Sequence, residues 1–322
     1  MHGQRNVMID VLKGLGIISV IVSHVYRGGT DPLAVFIREI TMWCVPMFFM
    51  VQGYYMSGPQ NYWQTSWKKI RKNYIPYLYW AVFYGLFFWL TKEKAFTVMD
   101  LILGKTALHL YYMFYYMLFA LLCPFLYLLP RKLRIGTLFF MLFSNIAVNL
   151  ILELSRTYQV SIISWSGPNP TKWWGFVAIG MLVAEYPLIV KYIREHPRAF
   201  TVGALALFAF GLLEPYLNNT LGYLFNKAAI FPLSIGLTLA LAIYYSTARR
   251  PWGAEVFSYI GSRSLGIYLG HFILVDPLRH ILNHDRALAA LLVLLICLAA
   301  KEVKDRMLQW MQTRSTQVSA SN

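Results

Sequence analysis

From Met8 to Tyr26 the chain reads MIDVLKGLGIISVIVSHVY, a nearly continuous apolar run long enough to cross about 30 Å of hydrocarbon as a helix. Similar runs recur to the end of the chain, at roughly 7–26, 34–57, 75–91, 108–130, 135–154, 173–190, 199–213, 223–247, 263–282 and 286–301. The pattern predicts an all-α, polytopic membrane protein of about ten transmembrane helices. Residues 1–311 read as one membrane domain, and the Ser/Thr/Gln-rich segment 312–322 as a disordered cytoplasmic tail. The longest expected loops are 58–74 and 155–172.

Composition agrees with this periodicity. Hydrophobic residues make up 58% of the 322 positions and charged residues only 13%, which excludes an ordinary soluble domain. Lys and Arg concentrate in the loops on the same side as the N-terminus, including Lys68, Lys69, Arg71, Lys72, Arg131, Lys132 and Arg134. By the positive-inside rule both termini are expected in the cytoplasm. The formal net charge of +15 is divided among short loops on two faces and forms no single stripe, so no nucleic-acid partner is expected. The first span is too long for a signal-peptide core and has no small-residue cleavage site after it, so it reads as a retained anchor. Cys44, Cys123 and Cys297 lie far apart in three spans, read as small apolar side chains, and no metal site is expected.

Polar residues inside the spans carry the functional signal. A charge near the bilayer centre costs at least about 2.5 kcal/mol, yet the first span holds Asp10, Lys13 and His24. Lys13 and His24 are eleven residues apart, about 20° past three full helical turns and about 16 Å along the axis, so they share a face. Asp10, three residues before Lys13, can pair with it. In the simpler alternative, Lys13 snorkels to the headgroups and His24 is an interfacial residue. A second polar stripe, Asn145, Asn149 and Glu153, has four-residue spacing in the fifth span. Two stripes point to a shared wet interior, because polar groups at membrane depth face protein or a cavity. His109 and His271 fall near His24 in depth, and a cluster of imidazoles suits proton transfer to and from a hydroxyl. A structural histidine hydrogen-bonded within the bundle is the alternative for each.

The stretches MIDVLKGLGIISVIVSH, VPMFFMVQGYYM (Val45 to Met56), HLYYMFYYMLFALLCPFL (His109 to Leu126) and SRSLGIYLGHFIL (Ser262 to Leu274) resemble, in that order, the blocks of the membrane acyltransferase 3 family. The short stand-alone members related to fucose 4-O-acetylases and O-antigen acetylases look most similar. The resemblance implies a bacterial inner-membrane enzyme that moves an acetyl group from cytoplasmic acetyl-CoA to a sugar hydroxyl of a surface glycan or its lipid-linked precursor. The family pattern of a basic residue, ten residues and then histidine falls on Lys13 and His24, Lys13 standing where many members have Arg, and with Asp10 as the partner of Lys13 these are the expected catalytic residues. It also places acyl-CoA handling on two basic residues three apart before the third span, here Lys68 with Arg71 or Lys69 with Lys72. A pyrophosphate-bearing donor suits such a cluster, although a topology signal alone would look the same. Gln52 and Tyr111 depart from the family's usual residues at their positions.

On the acceptor side the expected contacts are His109, His271, Asn149, Glu153, Trp173 and Trp174. Trp165, Trp173 and Trp174, with Asn169 and Lys172, bring flat aromatic faces and polar donors together in one loop. An interfacial tryptophan belt is the competing explanation. A transporter or flippase would also keep ionisable residues in its spans, but the paired inverted repeats common in such folds are not visible here.

Overall fold

Asn6 starts the first helix: its side-chain oxygen accepts from the Ile9 amide at 3.3 Å, satisfying one of the open N–H groups of the first turn. In the computed structural model, which describes residues 6–56, 62–160, 169–222, 225–282 and 285–320, the side chains of 62–66, 68–69 and 312–320 are outside the description. The helices are α1 (Val7–Val25), α2 (Pro32–Thr41), α3 (Cys44–Met56), α4 (Tyr62–Lys92), α5 (Val98–Ile102), α6 (Tyr111–Leu122) and α7 (Arg131–Thr157). They continue as α8 (Trp174–Glu185), α9 (Pro187–Glu195), α10 (Pro197–Leu217), α11 (Ile230–Thr247), α12 (Ala254–Ser262), α13 (Ser264–Gly270), α14 (Phe272–Ile281) and α15 (Arg286–Ala320). Short 3₁₀ turns occupy Leu108–Leu110, Cys123–Leu128 and Pro170–Lys172. No strand occurs among the described residues, so the protein is all-α.

The expected ten spans are not ten long apolar helices. Six segments are long and apolar enough to cross a membrane: Val7–Val25, Pro32–Met56, Leu108–Leu128, Arg131–Thr157, Pro197–Leu217 and Ile230–Thr247. A seventh arises if α8 and α9, bent by 80° at Tyr186, count as one. The expected span 263–282 is divided by His271 into α13 and α14, and 286–301 forms the first half of α15. The expected loop 58–74 is helical from Tyr62 onward, because α4 runs without a break through the basic cluster and past Pro76. Lys, Arg and Ile are acceptable helix formers, so a charged stretch marks the end of an apolar stripe without ending the helix. The last helix continues past residue 311 to Ala320.

Glycines set the closest helix pairs. A Cβ on Gly14 would lie 2.0 Å from the Phe257 carbonyl oxygen, and one on Gly261 would lie 1.8 Å from that of Asp10, so α1 and α12 meet backbone to backbone. Gly53 and Gly180 join α3 to α8 in the same way, and Gly211 and Gly236 join α10 to α11. Around α1 these contacts gather a core of buried Ile17, Ile21, Met47, Phe49, Tyr77, Tyr84 and Phe176.

Buried polar groups hold the surrounding elements. Glu39 on α2 accepts from the Lys227 ammonium, both side chains almost fully buried, and also from the Gly222 amide at 3.3 Å. The stripe on α7 faces backbone. Asn145 Oδ1 accepts from the Gly175 amide in the first turn of α8 at 3.0 Å, and Glu153 Oε2 accepts from the Ala228 amide just before α11 at 2.7 Å. Both are helix N-termini, where an oxygen acceptor meets open N–H groups and the positive end of the macrodipole.

Candidate functional site: two cavities meeting at a tyrosine pair

Helix α1 is flanked by a cavity at each end. Toward its N-terminal end, Lys13 lines a space of about 430 Å³ together with Gln52, Tyr55, Lys72, Asn73 and Tyr116. Toward its C-terminal end, His24 lines a space of about 550 Å³ with His109, Trp173, Lys172, Arg27 and Arg38. Tyr112 from α6 and Tyr268 from α13 line both cavities, their rings 5.5 Å apart and roughly perpendicular. The interior expected to be shared by the two polar stripes is instead two chambers beside α1, with this aromatic pair common to both and the α7 stripe outside them.

In the first chamber Lys13 Nζ donates to Asp10 Oδ1 at 2.6 Å. Asp10 is 5% exposed and Lys13 more open, so the carboxylate is the buried anchor and the ammonium is the end presented to the cavity. Pairing three residues apart on one helix face lowers the cost of holding either charge at this depth. Of the basic cluster, Lys72 lines the chamber and Arg71 is exposed, while the side chains of Lys68 and Lys69 lie outside the described residues. Gln52, the departure in the second block, lines the same chamber and donates to the Tyr116 carbonyl at 2.6 Å.

Two imidazoles line the second chamber and a third packs behind them. His24, His109 and His271 come from three separate parts of the chain, with ring centroids 5.2 Å apart for His24 and His271, 5.0 Å for His109 and His271 and 6.3 Å for His24 and His109. His24 is half-buried and open to the cavity, whereas His109 and His271 are buried. His271 Nδ1 lies 2.7 Å from the Tyr268 carbonyl and 3.3 Å from that of Ile267, which assigns the proton to Nδ1. Its Nε2 keeps the lone pair and has no partner. The His109 ring is buried as well, between Phe272 stacked at 4.9 Å and the edge of Tyr84 at 5.2 Å, with the Leu269 backbone beside it. The Tyr268 hydroxyl donates to the His109 carbonyl, tying the tyrosine pair to this cluster. His24 and His109 thus line the chamber, and His271 stands directly behind them.

The remaining expected contacts divide. Trp173 lines the second chamber, and its ring lies 5.4 Å from Phe49 and 5.9 Å from Tyr111. Trp174 packs toward Phe140 and lines neither chamber, and Trp165 falls outside the described residues. Asn149 and Glu153 also line neither chamber, because the α7 stripe faces the N-terminal turns of α8 and α11. Among the described residues, no group of three or more His, Cys, Asp or Glu side chains could hold a metal ion.

The sequence reading did not single out Tyr112, Tyr268, Arg27 or Arg38. Aromatic residues are common in any membrane core, so the tyrosines carried no signal of their own. Arg38 did carry one, as an arginine inside an apolar run.

Residues 6–300 match the family model described as an acyltransferase domain, the acyltransferase 3 family. No curated protein and no solved structure matches the chain.

Proposed function

The chain belongs to the acyltransferase 3 family, as a multi-pass membrane acyltransferase, and from that premise we propose that it moves an acetyl or other short acyl group from acyl-CoA on the cytoplasmic side to a sugar hydroxyl on the opposite side. The acceptor is a surface glycan or its lipid-linked precursor, and the setting is a bacterial inner membrane. The observation that supports this most directly is the pair of chambers at opposite ends of α1, one lined by Lys13 and the other by His24, sharing Tyr112 and Tyr268.

The donor's phosphates dock at the Lys13 mouth, where Lys72 and the rest of the basic cluster supply cations, and the thioester arm points toward the tyrosine pair. Asp10 fixes the Lys13 ammonium there, and at about 16 Å from His24 that ammonium acts on the donor and not on the imidazole. The acceptor hydroxyl enters the second chamber. His24 takes its proton while the oxygen bonds to the acyl carbon, the carbon–sulfur bond breaks, and the proton passes from the imidazolium to the departing thiolate. An acyl-imidazole on His24 followed by transfer to the sugar gives the same products. His271, its Nδ1 proton held by main-chain carbonyls, offers Nε2 as an acceptor beside His24 and helps hold the imidazolium.

The test uses purified protein in sealed proteoliposomes with acetyl-labelled acetyl-CoA and isolated cell-envelope glycan. His24→Ala is expected to lower transfer at least about 100-fold. Lys13→Ala is expected to raise the KM for acetyl-CoA more than it lowers kcat. Wild-type transfer by His24→Ala would end the catalytic assignment. Proton NMR of the glycan with and without the gene separates the reading from a transporter, which would leave no alkali-labile acetyl signal.

A further inference from the structure

The second chamber is electrostatically one-sided. Among the described residues, Arg27, Arg38 and Lys172 line it and no Asp or Glu does. The acids that could neutralise these cations are committed elsewhere. Glu39, next to Arg38 in sequence, is held by buried Lys227 and the Gly222 amide, and Asp31 at the start of α2 accepts from Arg286 at 2.6 Å. Among the described residues neither Arg27 nor Arg38 has a carboxylate within ion-pair distance. Arg38 Nε is buried with no hydrogen-bond partner among the described residues, and a Cβ on Gly222 would be 3.8 Å from its Nη2. Among the described residues the Lys172 ammonium donates to a neutral oxygen, Asn226 Oδ1.

Charge of one sign in a half-enclosed space is unfavourable unless an anion enters with a ligand. Two guanidiniums and an ammonium around one cavity present the forked donors that hold a phosphate or carboxylate through paired, charge-assisted hydrogen bonds. A neutral sugar would leave all three charges uncompensated. The same desolvation, with Arg156 adding its repulsion, holds the Lys172 pKa down at about 8.

Building on the acyl-transfer reading, we propose that the second chamber accepts an anionic acceptor, whose phosphate or carboxylate is held by Arg27, Arg38 and Lys172 while a sugar hydroxyl reaches His24. The anion has two sources: the phosphates of a lipid-linked sugar, or the acidic groups of the glycan itself.

The experiment measures equilibrium binding of radiolabelled inorganic pyrophosphate and of glucuronate to full-length protein in phosphatidylcholine nanodiscs, with saturating CoA present to fill the donor site. One equivalent of at least one probe is expected to bind. Arg27→Gln and Arg38→Gln are each expected to weaken that binding about tenfold or more. Preference for pyrophosphate assigns the lipid-linked source, and preference for glucuronate assigns the acidic glycan. No CoA-independent binding of either probe, or binding unchanged in both variants, would overturn the proposal. Arg27 is exposed, so its variant remains informative if Arg38→Gln fails to fold. His24-dependent acetyl transfer without anion binding would sink this inference alone. Anion binding without such transfer would leave the anion site standing and remove the acyl-transfer reading.

Discussion

His109 is a buried imidazole caged by Phe272 and Tyr84, and a buried ring nitrogen left without a partner costs about 1 to 3 kcal/mol. His109→Leu is therefore expected to leave thermal stability in detergent unchanged or raise it, while acetyl transfer falls at least about tenfold. Lower stability with unchanged transfer would make this imidazole a packing residue. Tyr112→Ala is expected to join the chambers, so that water reaches the thioester and acetyl-CoA is hydrolysed faster without acceptor, read as free CoA release. Unchanged hydrolysis would mean that the ring does not separate donor from solvent. The Lys172 charge is present below pH of about 8 and lost above it. The KM for an anionic acceptor is thus expected to rise as pH passes through that value, and Lys172→Arg is expected to abolish the rise. Arg156 repels this ammonium, and Arg27, Arg38, Tyr115, His24 and His109 line the same chamber. At this scale Lys13 and His24 could be read from sequence, because helical phase couples two ionisable residues across an apolar span. Tyr112 and Tyr268 could not, since their role comes only from a meeting of α6 and α13 across the bundle.

Helix pairs depend on features that local pattern half reveals. Gly261 and Gly14 let α1 and α12 touch along backbone, and a side chain at either would collide with a carbonyl that cannot move alone. Gly261→Leu is expected to destabilise the protein by about 1 to 3 kcal/mol or more and to lower transfer by displacing α1 and both chambers with it. Thermal unfolding in detergent checks the first effect and the labelled-acetyl assay the second. Breaking the buried Glu39–Lys227 pair with Glu39→Gln is expected to cost about 3 to 5 kcal/mol, because it strands an ammonium in the core. Apolar periodicity located α1, α7 and α10 to within about four residues, and the end of α11 but not its start. It missed the helical start of α4, where the apolar stripe ends before the helix does, and the break at His271, just after Gly270. The α7 stripe was visible, but its destination was not: period shows that three polar groups share a face, and only packing shows that two of them cap other helices.

For the whole molecule, composition and run length were enough to assign an all-α membrane protein, while the division of its interior into two chambers depends on contacts between distant segments. In oriented proteoliposomes, acetyl-CoA is expected to be used only when supplied on the side of the Lys13 mouth, which an assay with donor on one side at a time would show. The shared tyrosine pair has an electrical consequence as well. Where both chambers are filled with electrolyte, most of an imposed voltage drops across the thin aromatic septum between them. A group bearing one charge would exchange about 2.3 kcal/mol per 100 mV in crossing it. An acetyl group bears none, so turnover is expected to stay flat as a potassium diffusion potential is stepped, whereas passage of an ionised donor fragment would make it climb or fall with field.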